Sequence, residues 1–111
     1  MPAFNDRRSS DRYAIRTAAL LGLPDGLVVD ARTLDVGLGG AGVVSDLNLP
    51  VGTAVALRVN LPAPTGGSAV FEATAKVVNC TLAGRDGGFR LGLQFDPLSP
   101  AASAVLGGLL R

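Results

Sequence analysis

Hydrophobic and polar residues alternate with a period of two along most of this chain. The clearest run is 53–61, where Val55, Leu57, Val59 and Leu61 share one face and Ala54, Ala56, Arg58 and Asn60 the other. Successive side chains of a strand project to opposite faces, so the run predicts a half-buried antiparallel strand. The same period recurs at 69–80, with Phe71, Ala73, Ala75 and Val77 set against Glu72, Thr74 and Lys76. It recurs again at 89–95, with Phe89, Leu91, Leu93 and Phe95 set against Arg90, Gly92 and Gln94. Residues 13–23 predict another strand, with Tyr13, Ile15, Thr17, Ala19 and Leu21 on one face, although Ala18 and Leu20 blur the pattern. Residues 27–36 predict its return, with Val29, Ala31 and Thr33 opposite Asp30 and Arg32, and 41–45 predict a short strand.

Between these runs lie turn signals. Pro24-Asp25-Gly26 joins the first two strands as a hairpin, because proline presets φ and glycine accepts positive φ. Pro50-Val51-Gly52, the Pro/Gly-rich loop 62–68 and the glycine-rich turn 84–88 break the chain elsewhere. Ser99-Pro100 resembles a helix N-cap with proline at the first helical position, which predicts a short helix over 101–110. About six short strands separated by turns roughly ten residues apart argue for an all-β barrel or sandwich, with the closing helix over one open end.

Length fits one domain of 111 residues with a single core. Residues 1–11 are poor in apolar groups and are expected to form a flexible N-terminal arm, leaving 12–111 as the barrel domain. Ten basic and nine acidic residues leave a net charge of +1, too little field to hold DNA, RNA or an anionic membrane. Any anion site must therefore be local. One cysteine, Cys80, and no early apolar leader predict a reducing, cytoplasmic setting, and no apolar run is long enough for membrane insertion. With no histidine and one cysteine, a zinc site, a Ser-His-Asp triad and a Cys-His pair are excluded, and no pair of carboxylates is singled out for acid–base work. No enzymatic activity, cofactor or metal is expected.

Two features carry candidate chemistry. The polar segment at the start holds Arg7, Arg8 and Arg12, the last two spaced R-x-x-x-R. Arginine offers a planar, permanently charged fork that pairs bidentately with phosphate or with the O6/N7 edge of guanine. The alternative is a solvated tail whose charges pair with Asp6 and Asp11. The absence of lysine before Lys76 tilts the choice towards the clamp. The second feature is the turn 35–42, containing Asp35, Gly37 and Gly40. Its plain reading is a tight turn whose glycines supply positive φ. Its functional reading has the Asp35 carboxylate accepting from guanine N1–H and N2–H while Gly37 and Gly40 leave room for the purine face.

Asp6-Arg7-Arg8-Ser9-Ser10-Asp11-Arg12-Tyr13, then Leu34-Asp35-Val36-Gly37-Leu38-Gly39-Gly40, Pro50-Val51-Gly52-Thr53 and Arg90-Leu91-Gly92-Leu93-Gln94-Phe95, together resemble the PilZ domain family over about residues 6–98. The resemblance implies a six-stranded antiparallel β-barrel with a short C-terminal helix, which in many members binds the bacterial second messenger cyclic di-GMP. In the family the ligand is held by an R-x-x-x-R segment and a D/N-x-S-x-x-G turn. Arg8 and Arg12 match the first, with Arg7 as the extra arginine that often precedes it; Asp35 and Gly40 match the second. Gly37 stands where the pattern has serine. The resemblance thus implies a cyclic di-GMP receptor that orders its arm on binding and signals to a protein partner the sequence does not name. The alternative is an adaptor that has lost the nucleotide and acts in motility or exopolysaccharide regulation through protein contacts.

Overall fold

The strict alternation of 54–62 survives folding without a break: in β5 (Ala54–Pro62) every second residue from Val55 to Leu61 is buried and every other one exposed. The computed structural model describes residues 12–109, and the remaining strands are β1 (Tyr13–Ala14), β2 (Ala18–Gly22), β3 (Val28–Val36), β4 (Gly40–Ser45), β6 (Ser68–Leu82) and β7 (Phe89–Phe95). All pairings are antiparallel and run β3–β2–β5–β6–β7–β4, with β4 returning to β3, so six strands close a barrel. Closure removes the exposed edges that an open sheet of this size would present. The inner faces of all six strands supply the core, in which Leu21, Val36, Leu57, Leu61, Phe71, Val77, Leu91 and Leu93 are almost fully enclosed. Phe71 and Phe95 meet as a tilted ring pair with centroids 5.4 Å apart.

The single strand predicted over 13–23 is two segments on one side of β3. Tyr13 and Ala14 pair with Val36 and Asp35, and 18–22 pair with 28–32. Between them the Thr33 hydroxyl takes the place of backbone partners, accepting from the Thr17 N–H at 3.0 Å and donating to the Ile15 carbonyl at 2.6 Å. A side-chain oxygen that competes with the ladder interrupts it locally while leaving no buried group unpaired. Tyr13, expected on the same face as Ala19 and Leu21, is exposed although it pairs with the buried Val36.

Strand β6 runs two residues beyond its predicted end, and its register against β7 shifts between Val77 and Asn79. Strand β3 shifts against β4 between Thr33 and Asp35. Each shift is a bulge, one extra residue on one strand. Helix α1 (Pro100–Leu109) begins where Ser99 Oγ accepts from the Ala102 N–H at 3.1 Å, and it buries Ala102 and Leu106 in the core beside β5 and β6. Gly108 persists in the helix because a Cβ there would lie 2.9 Å from the ring of Pro64. Cys80 is half-buried, not enclosed, and its Sγ donates to Asn48 Oδ1 at 3.2 Å. No helix among the described residues is long and apolar enough to cross a membrane.

Candidate functional site

Period-two alternation in β3 puts Val29, Ala31 and Thr33 inward and, continued unchanged, would bury Asp35 with them. The bulge at Leu34 prevents this: Thr33 pairs with the buried Val43, and Asp35 pairs with Gly42 on the outer face while Val36 returns to the core. There Asp35 Oδ1 accepts from the Gly42 N–H at 2.9 Å. Gly42 is the residue the sequence reading missed. It belongs to the glycine-crowded stretch, but its partner lies seven positions back on another strand.

Arg12 enters from the other side. β1 pairs with β3 at Ala14 and Asp35, which places the residue two before Ala14 beside the carboxylate. Its Nη1 donates to Asp35 Oδ1 at 2.5 Å, and the two side chains remain 41% and 36% exposed. A pair this exposed contributes only about 0–1 kcal/mol to stability. It positions two groups without locking them. Of the expected site residues, the fold therefore joins Arg12 to Asp35, while Arg7 and Arg8, with the expected arm 1–11, lie outside the described residues.

The turn beyond Asp35 is closed by the Gly37 N–H donating to the Gly40 carbonyl at 2.8 Å, with exposed Leu38 at its tip. Its glycines do not serve the purpose the plain reading gave them, because positive φ occurs elsewhere in the chain and at none of Gly37, Gly39, Gly40 or Gly42. At Gly40 the requirement is space, since a Cβ there would lie 2.1 Å from the Leu93 carbonyl oxygen. At Gly39 a Cβ would meet nothing, and its carbonyl accepts from the Phe95 N–H at 2.9 Å. The outcome is a carboxylate and a guanidinium side by side on the outside of the barrel, next to backbone that carries no side chains. That surface suits a flat, polar anion better than it suits a buried substrate.

The profile of the PilZ domain family matches residues 6–111, and the chain belongs to that family. Solved structures that share its fold include the following two. The inhibitor of motility MotI/DgrA of Bacillus subtilis superposes with a TM-score of 0.71 at 16% identity, covering 86% of this chain and 46% of that one. This chain thus spans less than half the length of that inhibitor. The PilZ domain of YcgR from Escherichia coli, solved with c-di-GMP, gives a TM-score of 0.66 at 22% identity and covers 89% of this chain and 85% of its own. No curated protein matches the sequence significantly.

Proposed function

We propose that this chain is a non-catalytic receptor for cyclic di-GMP. The observation that supports it most is the Arg12–Asp35 pair, in which two residues 23 apart, one from each half of the family's ligand motif, meet on the outer face of the barrel. In this reading Asp35 accepts from N1–H and N2–H of a guanine, and Arg12 turns from the carboxylate to a ligand phosphate or to the guanine O6/N7 edge. The exchange is favourable, because an exposed ion pair worth about 0–1 kcal/mol gives way to charge-assisted bonds worth about 1.5–3 kcal/mol each. Arg8 precedes Arg12 by four residues, a span of at most about 14 Å, so its guanidinium stays within reach of the same ligand, and Arg7 beside it adds a third cation. In this reading Gly37 lets the base lie close to the turn, whereas the bare position at Gly40 is already taken up by the Leu93 carbonyl. The ligand draws the arginine segment across the barrel and so creates a new surface for a protein partner in the bacterial cytoplasm.

One residue favours the adaptor reading. Gly37 lacks the hydroxyl of the family's serine. A neutral hydrogen bond is worth about 0.5–1.5 kcal/mol, or roughly tenfold in affinity at most, so its loss weakens the site without abolishing it. Calorimetric titration with cyclic di-GMP separates the two readings. Micromolar or tighter binding that disappears in the Arg8→Ala/Arg12→Ala double variant supports the receptor. No heat from the unaltered protein at high concentration overturns it in favour of the adaptor.

A further inference from the structure

The two bulges of the barrel are equivalent, and together they mark out a surface larger than the arginine and aspartate motifs. In β3 the buried Thr33 pairs with Val43, Leu34 is the extra residue, and Asp35 lands outward opposite Gly42. In β6 the buried Val77 pairs with Leu93, Val78 is the extra residue, and Asn79 lands outward opposite Gly92. Without the second bulge Asn79 would follow Phe71, Ala73, Ala75 and Val77 into the core. Gly42 and Gly92 are themselves directly paired between β4 and β7. The outer face thus carries two adjacent glycines, flanked by Asp35 on one side and Asn79 on the other.

Neither glycine has positive φ, so backbone conformation does not demand glycine there. What it provides is space beneath two polar side chains. A Cβ on Gly42 would lie 3.2 Å from Asp35 Oδ1, and one on Gly92 would lie 2.6 Å from Asn79 Nδ2 and 2.7 Å from its Oδ1. Both polar ends therefore lean inward over the glycine pair. The Asn79 side chain is exposed, and among the described residues its carboxamide has no hydrogen-bond partner. Bulges frequently re-aim a side chain beside a binding site.

We propose that Asn79 is the far wall of the nucleotide site and donates from Nδ2 to the guanine base across the Gly42–Gly92 floor. This rests on the cyclic di-GMP reading. A carboxamide presents both a donor and an acceptor and by itself serves either purine, whereas an ionised carboxylate only accepts. Asp35 fixes the choice. It requires the N1–H and N2–H donors that guanine has and adenine lacks, and with Arg12 on a ligand phosphate the edge left for Asn79 carries O6 and N7, both acceptors. The amide donor completes a pattern that the aspartate begins, while the missing glycine side chains leave room for both polar ends to lie low over the strands.

Calorimetry with cyclic di-GMP on the unaltered protein, Asn79→Ala and Asn79→Asp tests this. Asn79→Ala is expected to bind about tenfold more weakly with an unchanged melting temperature. Asn79→Asp is expected to bind more weakly still, since a carboxylate then faces O6 and N7. Affinities of both variants within about twofold of an unaltered protein that binds overturn the role of Asn79 and leave the receptor reading intact. An unaltered protein that does not bind removes both.

Discussion

At the scale of single residues, the glycines of this chain divide by what surrounds them. Gly40 faces the Leu93 carbonyl so closely that an added methyl would sit 2.1 Å from its oxygen, and backbone cannot step aside as a flexible side-chain tip can. Overpacking of that kind costs about 1–3 kcal/mol. Gly39, next to it, opens onto nothing within 4 Å. Urea denaturation should therefore show Gly40→Ala clearly destabilised and Gly39→Ala within about 0.5 kcal/mol of the unaltered protein. Equal effects would mean that the turn is held by something other than its approach to β7. The family motif retains Gly40, and the barrel's own packing already requires it.

At the scale of elements, the first two strand segments depend on a hydroxyl. Thr33 is fully enclosed, and its Oγ1 joins the backbone of Thr17 to that of Ile15 where the ladder between the first strands and β3 is interrupted. Thr33→Val keeps the shape but leaves the Thr17 N–H without its acceptor, and an unsatisfied group of that kind costs about 1–3 kcal/mol. Chemical denaturation is expected to show that loss, and hydrogen exchange to show faster opening around residues 14–17 than in β5. A Thr33→Val protein as stable as the original would show that the interruption needs no side-chain bridge. β1 matters to the proposed site because its pairing with β3 is what delivers Arg12 to Asp35.

At the scale of the whole molecule, the groups that carry stability differ from those of the candidate site. The core is closed by six strands and a helix, while the candidate site lies outside it on exposed side chains. Arg12→Ala is accordingly expected to melt within a few degrees of the unaltered protein, because an exposed pair is worth about 0–1 kcal/mol, yet to lose most cyclic di-GMP affinity. A melting temperature that falls steeply would show the pair to be structural and would weaken its assignment to the ligand. The described members of the candidate site come from the segment before β1, from β3 and from the turn leading into β4, three segments held together by the pairings of β3 with β1 and β4.

Much of this was legible in the amino-acid order. The alternation at 53–61 and 89–95, the turns at 24–26 and 62–68 and the Ser99-Pro100 cap each reflect local chemistry that acts wherever such residues stand together, and they sufficed for an all-β barrel or sandwich with a closing helix, the family resemblance choosing the barrel. The spacing of Arg8 and Arg12 and of Asp35 and Gly40 pointed to the family only together with the segments Pro50-Val51-Gly52-Thr53 and Arg90-Leu91-Gly92-Leu93-Gln94-Phe95. Tertiary structure alone decided that the strand over 13–23 breaks at a buried threonine, that Gly40 answers to the Leu93 carbonyl, and that Asp35 and Asn79 face outward over Gly42 and Gly92. Those outcomes depend on which residue lies opposite across a ladder, and a single extra residue at Leu34 or Val78 reverses the direction that a period of two assigns to every position after it.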